Sequence, residues 1–286
     1  LGIQDFDPNV QDAINRIQTF EQTRHVVESV RRRGVGSVNC DVLYGLPYQT
    51  EASVLKTLDA VISLDPDRIA LFGYAHVPWM KKHQSMIRDS ALPDVYARFS
   101  QMQAASHHIR SAGYAGIGID HFAKTLDRMA LADEHQTLRR NFQGYTDDQA
   151  DALIGLGASS IGQLPEGYVQ NCVTTGDYIR AAETGNLCAV RGIQLEEDDR
   201  MRAFVIEQLM CRFEFGFDDL QKRFGRLAGD LVAQARLCAA RDRDGLVEIH
   251  DRRFVILEKG RPFARTIASW FDAYLGNGVG RHSIAV

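Results

Sequence analysis

Hydrophobic and polar positions alternate in two ways along the first half of the chain. Short apolar runs, typical of buried strands, occupy residues 1–3, 38–42, 69–72 and 114–119. Between them, apolar residues recur every three or four positions, which predicts helices over 8–33, 50–65 and 93–112. Strands and helices that alternate in this way predict parallel βαβ units, and we therefore expect an α/β fold.

Only four or five such units fit into this stretch, fewer than the eight of a closed barrel of parallel strands. Gly157–Ile161 is predicted to be a small-residue strand whose backbone lies close to a ligand. The first residues form an apolar run with neither an initiator Met nor a signal-peptide pattern. We therefore expect residues 1–172 to be the second half of a partial barrel, taken from a longer chain.

The alternation fades from about residue 173. Helices are predicted over 196–212, from 217 and over 228–240, followed by a hairpin of 245–249 with 254–257 and a last helix through Leu275. Residues 173–286 are thus predicted to form a small helical, winged-helix-like domain. Such domains often bind DNA, but acidic and basic residues are balanced here, whereas phosphate contacts need a clustered positive surface. We therefore expect a structural role.

Composition narrows the function classes. The net charge of -4 gives no electrostatic reason to expect binding to nucleic acid or to an anionic membrane. No apolar run approaches the roughly 20 residues of a membrane span. The five cysteines are scattered, with no short spacing between any two. We interpret them as unpaired core residues of a reducing compartment, and we expect a cytoplasmic monomer.

Residues 39–50 provide the best local evidence for a site. A strand carrying Asp41 turns through Gly-Leu-Pro and reaches Thr50, which is suited to cap the next helix. Polar residues also follow other strands, namely Gln4, residues 74–76 and residues 120–121. Because the carboxyl ends of barrel strands meet at one face, we expect these groups to share one mouth.

Two clusters have more than one interpretation. Asp120 and His121 suit metal binding or acid–base chemistry, but adjacent strand residues point to opposite faces and need not share a site, so ordinary hydrogen bonding is the preferred interpretation. The arginines and aromatics of residues 139–146 would suit a ring system with several carboxylates, or the arginines pair with Asp147 and Asp148. No Ser-His-Asp order, phosphate loop or dinucleotide fingerprint is present.

Six strings along the chain resemble one family. The chain is similar to the oxygen-independent coproporphyrinogen III oxidases, a radical S-adenosylmethionine family of bacterial haem synthesis. Gly-Leu-Pro with Gln-Thr is shared with the haem-delivery branch of the superfamily, which is the alternative function, whereas the strings at 74–76 and 140–146 are more specific to the oxidases. The strings are Gln4-Asp5-Phe6, residues 41–50, Pro66-Asp67-Arg68, Tyr74-Ala75-His76, Asp120-His121-Phe122-Ala123 and residues 140–146.

The resemblance implies a partial radical S-adenosylmethionine barrel and a radical decarboxylation. In this family a Cys-x3-Cys-x2-Cys motif holds a [4Fe–4S] cluster, which cleaves S-adenosylmethionine to a 5′-deoxyadenosyl radical. The radical takes hydrogen from substrate propionates, and loss of CO2 and one electron leaves vinyl groups, with an unidentified electron donor. Coproporphyrinogen III thereby becomes protoporphyrinogen IX. The motif is absent here, so we expect no metal ligands and no activity from this chain alone.

The same resemblance assigns five cofactor-binding residues. Gln4, Arg16, Asp41, Ala75 and Ile161 lie where the family contacts S-adenosylmethionine. Asp41 would accept from ribose hydroxyls or the methionine ammonium, and Arg16 would meet the methionine carboxylate. Ala75 and Ile161 would flank the adenine or offer backbone groups. No residue is assigned a catalytic role.

Overall fold

A five-stranded sheet forms the centre of the first part of the chain. The computed structural model describes residues 1–275. The strands stand in the order β1-β2-β3-β5-β4. They are β1 (Gly2–Gln4), β2 (Asn39–Tyr44), β3 (Arg68–Gly73), β4 (Ala115–Ile117) and β5 (His121–Ala123).

The predicted parallel pairing holds only for the first three strands. β1, β2 and β3 are parallel, whereas β5 runs antiparallel to both β3 and β4. The strand predicted over 114–119 is too long, because β4 ends at Ile117. The chain reverses because Gly118 adopts a positive φ of 55° and the ring of Tyr145 occupies the space of a side chain there.

Five helices accompany this sheet: α1 (Pro8–Ala13), α2 (Phe20–Arg32), α3 (Glu51–Ser63), α4 (Val95–Ser111) and α5 (Arg128–Glu134). A single helix over 8–33 is wrong. The chain breaks at Asn15, which has a φ of 51°, and Thr19 then caps α2 in a capping box with Gln22. The predicted cap of α3 is confirmed, since the Thr50 hydroxyl accepts from the Ser53 N–H at 3.2 Å.

One face of the sheet is buried against the helices. Along β2, Cys40 and Val42 are fully enclosed, and they pack with Leu58 of α3 and Ile109 of α4. The alternate positions of β2, which include Asp41, are only partly buried. Successive side chains of a strand point to opposite faces, so Asp41 lies on the face away from the helices.

A second, smaller sheet follows the hairpin of β6 (Arg139–Asn141) and β7 (Gly144–Thr146). It consists of β8 (Ile161–Leu164), β9 (Gly167–Asn171) and β10 (Ala189–Gln194), all antiparallel, with α6 (Thr175–Glu183) between β9 and β10. The strand predicted over Gly157–Ile161 is wrong up to its last residue. Gly157 and Ser159 have positive φ values and form a loop, and only Ile161 begins a strand.

Cys172 and Cys188 form a disulfide, which contradicts the prediction of unpaired cysteines. The pairing of β9 with β10 brings the two ends together, and a sequence separation of 16 gave no sign of it. β9 ends just before residue 172 and β10 follows it, so a domain boundary at this residue would divide one sheet. The division into 1–172 and 173–286 stays a prediction.

The C-terminal region has the winged-helix-like arrangement expected of it. Its sheet has the order β11-β13-β12, and Phe215, Phe217, Phe254 and Phe271 form its enclosed core. The last helix ends before Leu275. The elements are α7 (Glu197–Arg212), β11 (Glu214–Gly216), α8 (Phe217–Phe224), α9 (Ala228–Arg241), β12 (Val247–His250), β13 (Arg253–Ile256) and α10 (Ala264–Ser269). Within residues 1–275, no helix has the length and apolar character that a membrane span requires.

Candidate cofactor and substrate site

A row of residues crosses the open face of the first sheet. Asp41 lies opposite Gly2 on one side and Ala70 on the other, and Ala70 lies opposite His121. Residues in register on neighbouring strands project to the same face. Glycine and alanine add at most a methyl group to this row. Ala70 is fully enclosed, and the side chains of Gln4 and Arg16 border Gly2.

Three of the five expected cofactor residues meet at Gly2. The Arg16 guanidinium donates to the Gly2 carbonyl at 2.8 Å. A Cβ placed on Gly2 would lie 2.8 Å from the Gln4 amide nitrogen and 3.3 Å from Nη2 of Arg16, so both side chains border this position. Asp41 is opposite Gly2, and one of its carboxylate oxygens accepts from Asn39 at 2.6 Å. The group joins a carboxylate, an amide and a guanidinium.

The other two residues lie elsewhere. Ala75 is two residues beyond the end of β3, and its carbonyl accepts from the Gln84 side chain at 3.1 Å. Ile161 begins β8 in the second sheet, opposite Gln170. Among the described residues, no hydrogen bond joins either of them to the group around Gly2, so their assignment to the same ligand stays a prediction.

Asp120 and His121 are in contact, although adjacent strand residues were expected to diverge. Asp120 belongs to the turn before β5, and its carboxylate lies 2.6 Å from Nδ1 of His121. Arg265 of α10 pairs with the same carboxylate. The Tyr145 ring stands edge-on to His121, with centroids 5.1 Å apart. No sequence signal pointed to Arg265, because it comes from a helix 145 residues further along the chain.

A cleft of about 1560 Å³ is lined by the β6–β7 hairpin, the second sheet and α7. The Arg140 guanidinium lies 5.5 Å from the Tyr145 ring centroid, and its Nε is enclosed without a hydrogen-bond partner among the described residues. Phe142 and Tyr168 add aromatic faces to the lining. An enclosed N–H needs an acceptor, and a flat anion would satisfy both the charge and the rings.

The alternative in which these arginines pair with Asp147 and Asp148 is wrong. Arg139 pairs with Glu207 of α7 at 2.7 Å instead. Asp147 is bound by Arg128 at 2.7 Å. The hairpin therefore joins α7 through one arginine and presents the other to the cleft. The sequence showed the residue types but not which of the two would stay without a partner.

Comparisons with known proteins now identify the family. A model described as the HemN C-terminal domain matches residues 195–263. An oxygen-independent coproporphyrinogen III oxidase of Bradyrhizobium diazoefficiens is 47% identical over 286 residues, which cover 100% of this chain and 64% of the relative. One of Pseudomonas aeruginosa is 41% identical, with 96% of this chain and 60% of the relative covered. Over its full length the chain is similar to the oxygen-independent coproporphyrinogen III oxidases.

A solved structure agrees with this assignment. Coproporphyrinogen III oxidase (HemN) from Escherichia coli, described as a radical SAM enzyme, matches with a TM-score of 0.88 at 36% identity. The match covers 96% of this chain and 63% of that chain. The predicted fold class and family are thus confirmed. The haem-delivery alternative is not favoured, since each relative reported above is named as an oxidase. The chain spans less than two thirds of the length of these relatives.

The two cofactors of the family fit the described residues unequally. The carboxylate, amide and guanidinium around Gly2 match the hydroxyl, ammonium and carboxylate groups of S-adenosylmethionine. An iron–sulfur cluster does not fit, because residues 1–275 contain no group of three His, Cys, Asp or Glu side chains placed to hold a metal ion.

Proposed function

We propose that this chain forms the S-adenosylmethionine- and substrate-contacting part of an enzyme that oxidatively decarboxylates coproporphyrinogen III to protoporphyrinogen IX. The observation that carries this proposal is the group of Gln4, Arg16 and Asp41 around Gly2 on the open sheet face. When bound, S-adenosylmethionine together with a cluster supplies the one-electron chemistry. The residues described here bind and orient the reactants.

The cofactor would be held through charge and hydrogen bonds. Asn39 fixes one oxygen of the Asp41 carboxylate, and the other would accept from a ribose hydroxyl or an ammonium group. The Arg16 guanidinium has further donors beyond the one that binds the Gly2 carbonyl, and these would meet the methionine carboxylate. Ala75 would approach the adenine from the loop after β3, and Ile161 would approach it from the start of β8.

The substrate would occupy the cleft beside the β6–β7 hairpin. Coproporphyrinogen III carries several propionates on a tetrapyrrole ring, so it offers both carboxylates and flat surfaces. Arg140, with its enclosed Nε and its place over Tyr145, suits one propionate. An electron donor, a monomeric state, a cytoplasmic location and the lack of nucleic-acid or membrane partners are also predictions.

Titration calorimetry with S-adenosylmethionine tests the cofactor site. Asp41→Asn keeps an acceptor for Asn39 but removes the charge, so binding is expected to weaken about 10- to 100-fold, the effect of losing a charged hydrogen bond. Asp59→Asn is the matched control, because Asp59 lies on the exposed side of α3 and its carboxylate pairs with His108. Equal affinity of the Asp41→Asn variant and the wild type would remove Asp41 from the site.

The reaction needs a chain that also carries the cluster. In such a protein, anaerobic conversion of coproporphyrinogen III would be followed by vinyl product formation. Asp41→Asn should lower the rate at limiting S-adenosylmethionine and recover partly at high concentration. Tight haem binding without any vinyl product would support the haem-delivery function instead.

A further inference from the structure

Arg98 of α4 reaches the carboxyl ends of two parallel strands. A Cβ on Gly45, directly after β2, would lie 3.1 Å from Nε of Arg98. A Cβ on Gly73, the last residue of β3, would lie 3.3 Å from its Nη2. The guanidinium thus occupies the space that two glycines leave open. In α/β sheets, ligands bind at this edge.

The Arg98 guanidinium has no acceptor within the part of the chain that the structure describes. Its Nε is enclosed and without a hydrogen-bond partner, and no ion pair involves this side chain. Burial lowers the pKa of Arg98, yet an arginine stays protonated under ordinary conditions. An enclosed charged donor without an acceptor is costly, and it is retained where a ligand supplies the acceptor.

The surroundings of Arg98 favour an anion. The Tyr44 hydroxyl borders the same position, since a Cβ on Gly73 would lie 3.0 Å from it. Burial raises the pKa of Tyr44, so its hydroxyl is a neutral donor, and the charges of Arg98 and Arg265 oppose this shift. Asp120 is the nearby acid, but Arg265 and His121 already hold its carboxylate. Among the described residues, no ion pair joins Arg98 to this carboxylate.

We propose that Arg98, assisted by the Tyr44 hydroxyl, binds a carboxylate of a ligand held at the carboxyl ends of β2 and β3. The planar guanidinium presents paired donors that match the two oxygens of a carboxylate. This inference rests on the proposed function only for the source of the carboxylate. That source is either the amino-acid end of S-adenosylmethionine or a propionate of the tetrapyrrole.

Arginine-selective labelling with phenylglyoxal, read by mass spectrometry, tests the site directly. Arg98 in the wild-type chain is expected to react, and the ligand that binds it should slow this reaction about tenfold, as a charged hydrogen bond would. S-adenosylmethionine, coproporphyrin III (the stable porphyrin with the same propionates) and citrate are compared. Arg110 near the other end of α4, which is exposed and lies over Phe122, should label equally with and without ligand.

Binding titrations with variants give the second measurement. Arg98→Gln should weaken binding of the protecting ligand about tenfold, Arg98→Lys should weaken it less, and Arg110→Gln should leave it unchanged. Thermal melting checks that each variant folds. Unchanged affinity of Arg98→Gln for both ligands, or labelling of Arg98 that no carboxylate slows, would overturn the proposal.

The outcomes separate this inference from the proposed function. If the wild type binds S-adenosylmethionine and coproporphyrin III but Arg98 is neither protected nor needed, the function stands and the Arg98 site is wrong. If the wild type binds neither ligand, the proposed function fails. Protection of Arg98 by citrate alone would then still support an anion site at this edge of the sheet.

Discussion

The sheet region, residues 1–146, and the C-terminal region from α7 onward differ in how completely they satisfy their own polar groups. The C-terminal region has an aromatic core, in which the Phe215 ring contacts those of Phe254 and Phe271, both at 5.5 Å between centroids. The enclosed polar side-chain atoms without a partner within residues 1–275 all lie in the sheet region, at Asn39, Arg98 and Arg140. Unsatisfied groups cost stability, so they indicate where ligands bind.

The C-terminal region nevertheless supports the site. Arg265 of α10 holds Asp120, and the Met210 carbonyl of α7 accepts from the Tyr145 hydroxyl at 2.8 Å. Phe263 stacks on Phe99 of α4, with centroids 5.9 Å apart. One region thus supplies the groups that would contact ligands, and the other supplies contacts that hold some of them in place.

The largest expected effect comes from breaking the aromatic core. Phe254 is fully enclosed among Phe215 and Phe271. Phe254→Ala should lower the free energy of unfolding by about 3–5 kcal/mol, because it removes buried contacts and leaves a cavity. Urea denaturation followed by fluorescence measures this loss. If the C-terminal region supports the site, binding of S-adenosylmethionine should weaken in parallel.

Leu237→Ala is the control for this experiment. Leu237 lies on α9 but is 47% exposed, so its truncation should cost much less than that of Phe254. A loss below about 1 kcal/mol for Phe254→Ala would show that the aromatic cluster is not the main core of this region. Unaltered cofactor affinity despite a large loss of stability would show that the two regions are independent.

A smaller effect is expected where the two regions are joined by one hydroxyl. The Tyr145 hydroxyl accepts from the Ile119 N–H at 3.1 Å and donates to the Met210 carbonyl at 2.8 Å. Tyr145→Phe leaves both backbone groups without this partner, and it should lower the free energy of unfolding by about 1–3 kcal/mol. Faster hydrogen exchange of the Ile119 amide would locate the loss.

Tyr96→Phe is the matched control, because Tyr96 is 87% exposed and its hydroxyl can bond to water. It should change the free energy of unfolding by less than about 0.5 kcal/mol. Equal stability of Tyr145→Phe and the wild type would mean that the hydroxyl does not join the two regions, and the comparison above would then rest on Arg265 and Phe263.

The hydrophobic periodicity of the sequence correctly predicted the elements in which buried and exposed positions alternate regularly. β2 and α3 alternate between enclosed and open positions as the sequence pattern required, and Thr50 caps α3 as expected. Periodicity did not reveal the direction of β5, because a hydrophobic strand has the same pattern in parallel and antiparallel pairs. That direction depends on Gly118 and on the Tyr145 ring, which packs there from a distant hairpin.

The site was anticipated less evenly. Gln4, Arg16 and Asp41 were assigned through family resemblance. In the structure Gln4 and Arg16 border Gly2 and Asp41 lies opposite it, while their binding role stays a prediction. Arg98 was not identified, because an arginine in the first turns of an amphipathic helix is usually a solvated residue. Its role depends on the glycines of two neighbouring loops, which no spacing along α4 could show.

The smallest expected effect is a pH dependence that arises in the sheet region. Asp5 is only 1% exposed, and it accepts from Asp7 N–H at 2.6 Å, Gln49 at 2.5 Å and Thr57 at 2.8 Å. Burial is the largest influence and raises the pKa of Asp5 above 3.8, although these three donors lower it. The folded state therefore holds this proton at a higher pH than the unfolded chain does.

Since the folded pKa is raised, the contribution of Asp5 to stability is greatest below the unfolded pKa of about 4 and falls as the pH rises through the folded pKa. Asp5→Asn removes this titration. The NH2 group of the new asparagine would face a hydrogen-bond donor at every pH, so this cost does not change with pH. The stability of the variant relative to the wild type should therefore improve as the pH rises from about 4 towards neutrality. Urea denaturation at several pH values measures the difference, and Asp12→Asn, on the exposed side of α1, controls for the loss of one carboxylate. A difference that stays constant over this range would mean that the three donors offset burial fully, and the sheet region would then tolerate a buried carboxylate at no cost.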